Sequence, residues 1–271
     1  MGNPPLHRAR KRFGQNFLQD ENVLQELVAA INPQPDDLLV EIGPGKGALT
    51  FPLLEKLKQL VVIELDRDLI AALKNHSERL QIINIDALRF DFSTLAKGPH
   101  TLRVTGNLPY NISTPLIFHC LEQAEYIRDM HFLLQKEVVD RLSATPGSKV
   151  YGRLSVMAQY YCSVEKLFEV GREAFKPPPK VTSAFVRIIP YDQLPYPADD
   201  LRRFNQLVQQ AFSQRRKTLR RSLNSLCDSA TFEAAGIDSG LRPEQLSVAD
   251  FVKLSNSNSP VPSPDPDIRD T

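Results

Sequence analysis

The sequence predicts an open α/β sheet of mainly parallel strands, followed by a small all-helical domain. Three observations carry this. Short apolar runs alternate with helical patterns from Leu38 onward, the order that βαβ units require. The first run, Leu38–Ile42, breaks into the glycine turn Gly43-Pro44-Gly45-Lys46-Gly47, where glycines let the backbone approach a ligand closely and the following helix N-terminus is electropositive. Beyond Leu194-Pro195-Tyr196-Pro197 the pattern turns helical. The domain boundary is placed there: a basic arm over 1–20, the sheet domain over 21–193, helices over 194–256 and a tail over 257–271.

Composition narrows the class. The 271 residues leave room for one large domain and a small one. Lys and Arg number 33 against 32 Asp and Glu, so a nucleic-acid site has to come from local clustering and not from overall charge. Cys120, Cys162 and Cys227 are scattered, with neither metal-ligand nor disulfide spacing, which fits a reducing cytosol and hence a cytoplasmic protein. No apolar run reaches the roughly 18 residues of a membrane span. The basic N-terminus lacks the apolar stretch of a secretory signal. Nothing demands more than a monomer, and no metal is expected.

In chain order, His7 to Phe17 interleaves basic and aromatic residues. Arg10, Lys11 and Arg12 there would either be a solvated terminus or lie along a phosphate backbone. Asp20 caps a helix with Val23, Leu24, Leu27, Val28 and Ile31 on one face. After the glycine turn comes a helix (Leu49, Leu53, Leu54, Leu57), then the strand Leu60–Leu65. Glu64 stands near its end, about 20 residues past the first glycine, where an acidic side chain binds ribose hydroxyls. A helix (Leu69, Ile70, Leu73) leads to the strand Leu80–Ile85 and Asp86, placed to accept a hydrogen bond from an adenine amino group. Leu102–Gly106 is the fourth strand and ends at Asn107. Gly43, Glu64, Asp86 and Asn107 therefore converge on the carboxyl edge of the sheet, where open α/β sheets bind ligands.

Asn107-Leu108-Pro109-Tyr110 offers an amide, a carbonyl beside a proline, and an aromatic ring. The lone pair of an adenine N6 is delocalised into its ring and is a poor nucleophile. The Asn107 oxygen and the Leu108 carbonyl would accept its two N–H groups and aim the lone pair at a methyl donor. Tyr110 would stack on the flipped base, and Pro109 stiffens the loop. Ser113 or Thr114 would cap the next helix, with Pro115 in its first turn. His131–Leu134 is a fifth strand, followed by a helix with Val138, Val139 and Leu142, and Leu154–Tyr161 is a core helix. Lys166–Val170 and Ser183–Ile189 are strands joined by the stiff Phe175-Lys176-Pro177-Pro178-Pro179-Lys180-Val181 connector. Phe175 reads either as a core aromatic or as the ring opposite Tyr110.

In the helical domain, Phe204, Leu207, Val208, Ala211 and Phe212 line one helix face. Arg215, Arg216, Lys217, Arg220 and Arg221 follow as the densest basic run, without nearby acidic partners in sequence, and read as an RNA phosphate site rather than a solvated face. Arg242-Pro243-Glu244 begins another helix, and Val248–Leu254 forms the last. The Ser-, Pro- and Asp-rich residues after Asn256 predict a disordered tail.

The motifs Gln15-Asn16-Phe17-Leu18, Glu41-Ile42-Gly43-Pro44-Gly45-Lys46-Gly47-Ala48-Leu49-Thr50, Asn107-Leu108-Pro109-Tyr110-Asn111-Ile112-Ser113, the proline connector and the Arg-Arg-Lys-Thr-Leu run stand in order. Together they resemble the bacterial small-subunit ribosomal RNA adenine N6,N6-dimethyltransferases, the kasugamycin-sensitivity enzymes, over residues 7 to 256. The resemblance implies a seven-stranded, Rossmann-like class I methyltransferase sheet and S-adenosylmethionine as donor. It implies 16S rRNA in the small ribosomal subunit as partner, with two neighbouring adenosines near its 3′ end each methylated twice. It carries cofactor binding onto Asn16, Leu18, Gly43, Gly45, Glu64, Asp86 and Asn107, and base holding onto Asn107, Leu108, Tyr110 and Phe175.

Other readings share some of these features. A large-subunit RNA adenine methyltransferase of the macrolide-resistance type would share the sheet and the Asn107 loop, but the proline connector and the basic run favour the small-subunit family. An assembly factor that only binds immature small subunits has no use for the intact Asn107 loop. A DNA adenine methyltransferase would need a separate base-reading domain. A nicotinamide dehydrogenase would need the G-x-G-x-x-G spacing.

Overall fold

The computed structural model describes residues 16–74 and 78–257. Arg10, Lys11, Arg12 and the expected tail lie outside the described residues. The chain divides into two compact units, one of residues up to 143 together with 161–192, the other of 144–160 together with 193 onward.

The first unit is built on seven strands: β1 (Leu38–Ile42), β2 (Leu60–Ile63), β3 (Leu80–Ile83), β4 (Leu102–Asn107), β5 (Ile127–Gln135), β6 (Cys162–Val170) and β7 (Ser183–Pro190). Their order across the sheet is β3-β2-β1-β4-β5-β7-β6. The first five pair in parallel, and β7 runs antiparallel between β5 and β6. Helices α1 (Glu21–Ile31), α2 (Thr50–Lys56), α3 (Arg67–Leu73), α4 (Ser113–Glu122) and α5 (Lys136–Leu142) accompany it. β2 is the apolar run Leu-Val-Val-Ile, buried at every position, as a strand covered on both faces must be. Leu27 and Ile31 of α1 and Leu53 of α2 share a core cluster with Leu39, Leu60 and Val62 of the sheet.

The parallel order reverses direction between β1 and β4, which opens a crevice at their carboxyl ends. Two features fix it there. A Cβ on Gly106 would sit 2.4 Å from the Ile42 carbonyl oxygen, so only glycine lets β4 approach β1 so closely just before Asn107. At the other end of β4, Arg103 is 5% exposed. Its guanidinium donates to both Asp129 oxygens at 2.9 and 3.0 Å, to Asp37 at 2.7 Å and to the Ile31 carbonyl at 2.6 Å. A buried cation with this many partners is compensated in place, and it ties the end of α1 to the sheet.

The second unit contains α6 (Arg153–Tyr161) up to Tyr160, with α7 (Leu201–Ser213), α8 (Leu219–Ser222), α9 (Ser229–Ala235) and α10 (Val248–Asn256). Phe204, Leu207, Val208 and Ala211 are the buried face of α7, at the expected helical spacing. The Tyr160 and Phe204 rings lie 4.4 Å apart, and the Tyr160 hydroxyl accepts from the Ala198 N–H at 3.1 Å. Residues 144–160 thus belong with the C-terminal helices, whereas a continuous reading of the sequence kept them in the sheet domain.

Local differences have local causes. Asp20 caps α1 as expected, accepting from Asn22 and Val23 N–H at 2.9 and 3.1 Å. Neither Ser113 nor Thr114 caps α4: Ile112 occupies that position, and the Ser113 hydroxyl donates to the Tyr110 carbonyl at 3.1 Å. Arg242-Pro243-Glu244 opens only a single 3₁₀ turn, Pro243–Gln245. The basic run is not one helix: α7 stops at Ser213, a turn follows, and α8 begins at Leu219. Gly106→Ala is expected to lower stability by about 1–3 kcal/mol through overpacking at the β1–β4 contact, read as a lower urea midpoint at unchanged slope.

Candidate active site

The site grows from the carboxyl ends of β1, β2, β3 and β4. After β1, Gly43, Gly45 and Gly47 take φ of 68°, 59° and 85°, the left-handed region where a side chain is strained. Gly45 is doubly constrained, because a Cβ there would stand 3.3 Å from the Phe17 ring. Lys46 sits with its Nζ 4.8 Å from the centre of the same ring. The residues around Phe17 are held by a two-residue ladder in which Leu18 pairs with Phe175 and Phe17 with Lys176.

Glu64, immediately after β2, is buried at 8% exposure. Its Oε1 accepts the Leu65 and Asp66 N–H groups, both at 2.8 Å, and its Oε2 accepts the Gly45 N–H at 3.4 Å. Burial raises its pKa, opposed by these three backbone donors. Asn84 pins the same turn from β3, its amide donating to the Glu64 carbonyl at 2.8 Å and the Leu65 carbonyl at 3.3 Å. Asp86 turns its carboxylate to the Leu88 N–H at 3.0 Å.

These groups line a cavity of about 190 Å³ whose walls include Gly43, Gly45, Glu64, Leu65, Ile85, Asp86, Pro109, Asn111 and Ile112. A smaller cavity of about 40 Å³ adjoins Gly45 from the other side and is lined by Phe17, Leu18, Glu41, Lys46, Gly106, Asn107 and Phe185 among others. The loop after β4 thus serves both: Asn107 lines the smaller space, and Pro109, Asn111 and Ile112 line the larger one.

Asn107 donates its amide N–H to the Asn16 carbonyl at 3.1 Å. That bond assigns the nitrogen to the Asn16 side, since a carbonyl takes only a donor, and no described residue donates to Asn107 Oδ1. Leu108 is buried at 1% exposure, with its N–H on the Leu133 carbonyl at 3.2 Å. Tyr110 is half-buried, and its phenol pairs with the Ser183 hydroxyl at 3.1 Å. Phe175 is 4% exposed and belongs to the core cluster with Leu18, Leu133 and Phe185. Of the two readings offered by the sequence, its geometry is that of the core aromatic, so its ring faces packed side chains and not an open base slot.

One site residue escaped the sequence reading. Glu41 lies inside β1 at 2% exposure, and its Oε2 has no hydrogen-bond partner among the described residues. The Thr50 hydroxyl faces it and works against the shift without forming a bond of full geometry, while burial, joined by the Glu64 charge, pushes Glu41 up to about 8. The only early hint was its polarity within an apolar strand. A buried carboxyl oxygen without a partner among the described residues, at the wall of a cavity, suits a cationic amine.

The glycine turn, Glu64, Asp86 and the loop after β4 meet at the carboxyl edge of the sheet. A model for the family "Ribosomal RNA adenine dimethylase" matches residues 6–259. The chain belongs to the ribosomal RNA adenine dimethylase family. Curated members named "Ribosomal RNA small subunit methyltransferase A" are close relatives. That of Alcanivorax borkumensis is 59% identical over 256 residues, covering 94% of this chain and 91% of the relative. That of Vibrio cholerae is 55% identical over 253 residues, covering 92% and 93%. Among solved structures, a dimethyladenosine transferase from Plasmodium falciparum has 26% identity and a TM-score of 0.75, covering 88% of this chain and 95% of that one. The 23S rRNA methyltransferase ErmE has 25% identity and a TM-score of 0.68, covering 89% and 99%. The resemblance read from the motifs and the fold it implied are both borne out. Membership makes this dimethylase an enzyme acting on adenine in ribosomal RNA.

The raised Glu41 pKa gives the dimethylase a pH signature. A carboxyl whose folded pKa exceeds its unfolded one favours the fold when protonated, and that contribution is lost as pH rises through the folded pKa. Stability of the free protein is therefore expected to fall between pH 4.5 and about 8, where only the folded state keeps this proton. Denaturant titrations of wild type and Glu41→Gln should differ in slope over that window, with the variant flatter.

Proposed function

We propose that this enzyme transfers methyl groups from S-adenosylmethionine to the N6 atoms of two adjacent adenosines in a hairpin near the 3′ end of 16S rRNA. The rRNA is held within the small ribosomal subunit, each adenosine is methylated twice, and the modification accompanies subunit biogenesis. The observation that carries this reading is the orientation of Asn107: its amide nitrogen is held by Asn16, so its oxygen remains to accept an adenine N6–H. The names of the 55–59% identical relatives support the small subunit as substrate.

The residues fit the donor. When bound, S-adenosylmethionine supplies a methyl already activated on a sulfonium. Glu64 would take the ribose hydroxyls while its backbone donors keep it oriented, and Asp86 would accept from the adenine amino group. Gly43 and Gly45 let the backbone approach, Asn16 and Leu18 close the wall, and Glu41 offers its unpaired oxygen to the amino group of the methionine end. Asn107 Oδ1 and the Leu108 carbonyl would accept from N6 and turn its lone pair toward the methyl in line, so alignment and exclusion of water do the catalytic work. Tyr110 stacks on the base, with Phe175 as the packed wall behind Leu18.

Arg216, Lys217, Arg220 and Arg221 are exposed, with no ion-pair partner among the described residues, and would meet RNA phosphates. Arg215 is differently placed. It donates to the Lys149 carbonyl at 2.5 Å and lies 3.7 Å from Glu244, a role internal to its unit. Arg10, Lys11 and Arg12, outside the described residues, would add RNA phosphate contacts of their own.

Labelled methyl transfer to small subunits lacking adenine dimethylation, with large subunits as control, tests the whole reading. Dimethyladenosine from the small subunit alone is expected; label in the large subunit would transfer the assignment to an ErmE-like substrate. Asn107→Ala should cut turnover by about two orders of magnitude or more, with cofactor affinity weakened less. Wild-type turnover in that variant would remove the acceptor role. Changing Arg216, Arg220 and Arg221 together should weaken RNA binding and lower its dependence on salt by about two to three phosphate contacts' worth of slope, measured by filter binding across ionic strengths, with cofactor binding unchanged.

A further inference from the structure

We propose that Ser183 is a positioning residue for methyl transfer: its hydroxyl tethers the Tyr110 phenol and so presets the ring on which the target base lies. The inference rests on the stacking role given to Tyr110 above and adds what holds that ring.

Ser183 opens β7. Because β7 runs against its neighbours, its first residue lies at the carboxyl edge of the parallel strands, opposite Gln135 at the end of β5 and Val170 at the end of β6. The chain there turns from the proline connector into the apolar run Ala184, Phe185 and Val186, all buried. Ser183 itself is 1% exposed. A hydroxyl taken out of water requires a partner, and the Tyr110 phenol at 3.1 Å is the one hydrogen-bond partner its side chain has among the described residues. Structure alone gives no reason for a polar side chain here apart from that phenol.

Tyr110 is held at its other end too. Its carbonyl accepts from Ser113 at 3.1 Å, and Pro109 before it fixes its own φ. Burial raises the phenol pKa, opposed by the Ser183 bond, so the ring carries a proton to share at neutral pH. A ring fixed at its backbone and at its far tip has neither χ1 nor χ2 left to order when a base arrives. Presetting a contact surface in this way removes an ordering cost from the bound state and keeps the reacting atoms in line. Ser183 touches neither base nor donor; it acts through Tyr110. The hydroxyl at Ser113, freed from capping α4, completes the arrangement.

The test is a double-mutant cycle in the full-length enzyme. Single-turnover methyl transfer to undermethylated small subunits is measured at saturating S-adenosylmethionine, beside calorimetric cofactor affinity and melting temperature. Ser183→Ala and Tyr110→Phe are each expected to slow transfer by about three- to tenfold, and the double variant by no more than either alone. Cofactor affinity should stay within about twofold in all three, because the tether lies outside the donor's contacts. Wild-type transfer in Ser183→Ala, or losses that multiply in the double variant, would overturn the tether. Tyr110→Ala separates this from the parent reading. If it is severely slow while Ser183→Ala and Tyr110→Phe match wild type, stacking stands and the tether falls; if it is as fast as wild type, both fall.

Discussion

The carboxylate of Glu64 is the constraint around which the site is assembled. Its oxygens accept backbone N–H groups from the turn after β2 and from Gly45 in the turn after β1, so one side chain sets the spacing of two strand ends. That spacing holds only if the glycine turn follows its left-handed path, which in turn lets Phe17 pack on Gly45. Phe17 and Leu18 sit in the ladder with Phe175 and Lys176, and the neighbouring Asn16 carbonyl orients Asn107. The Glu64 turn and the Asn107 amide are therefore mechanically continuous. On the proposed reading this acid would suit ribose hydroxyls, because backbone donors stabilise its charged form while burial keeps water from competing.

How much of this could be read from the chain depends on the range of the forces involved. The glycine turn, the Asp20 cap and the strand pattern were legible because they depend on residues within a turn of one another. Gly106 gave no signal, because its requirement comes from the Ile42 carbonyl on a neighbouring strand. Glu41 looked like one polar residue in an apolar run; its importance comes from burial on both faces of a parallel sheet. The assignment of 144–160 depended on the Tyr160–Phe204 contact, which no local periodicity encodes. Arg215 read as one of five equivalent cations until Glu244, brought near by folding, set it apart.

Phe175 shows why two sound readings can coexist in sequence and separate only in space. A phenylalanine beside a stiff proline connector suits a base slot as well as a core. Its pairing with Leu18 and its place among Leu133 and Phe185 give it the core's energetics, where a buried aromatic contributes through area and packing. Its service to the site is then indirect: it anchors the segment whose Asn16 carbonyl holds the Asn107 amide.

The loop after β4 joins these arguments. On the proposed reading it has to be rigid, since two acceptors would reach one nitrogen at once, while it sits at the carboxyl edge of the sheet, beyond the strand ladder. The chain resolves this by spending polar groups on orientation: Asn107 gives its amide nitrogen to Asn16, Leu108 gives its N–H to Leu133, Tyr110 gives its carbonyl to Ser113 and its phenol to Ser183. After those bonds are made, the loop presents the Asn107 oxygen, an acceptor with no donor among the described residues. The proposed chemistry, holding one amino group in the right pose, would need a site whose unsatisfied groups are few and correctly aimed, and the hydrogen bonds around Asn107 are of the kind it would need.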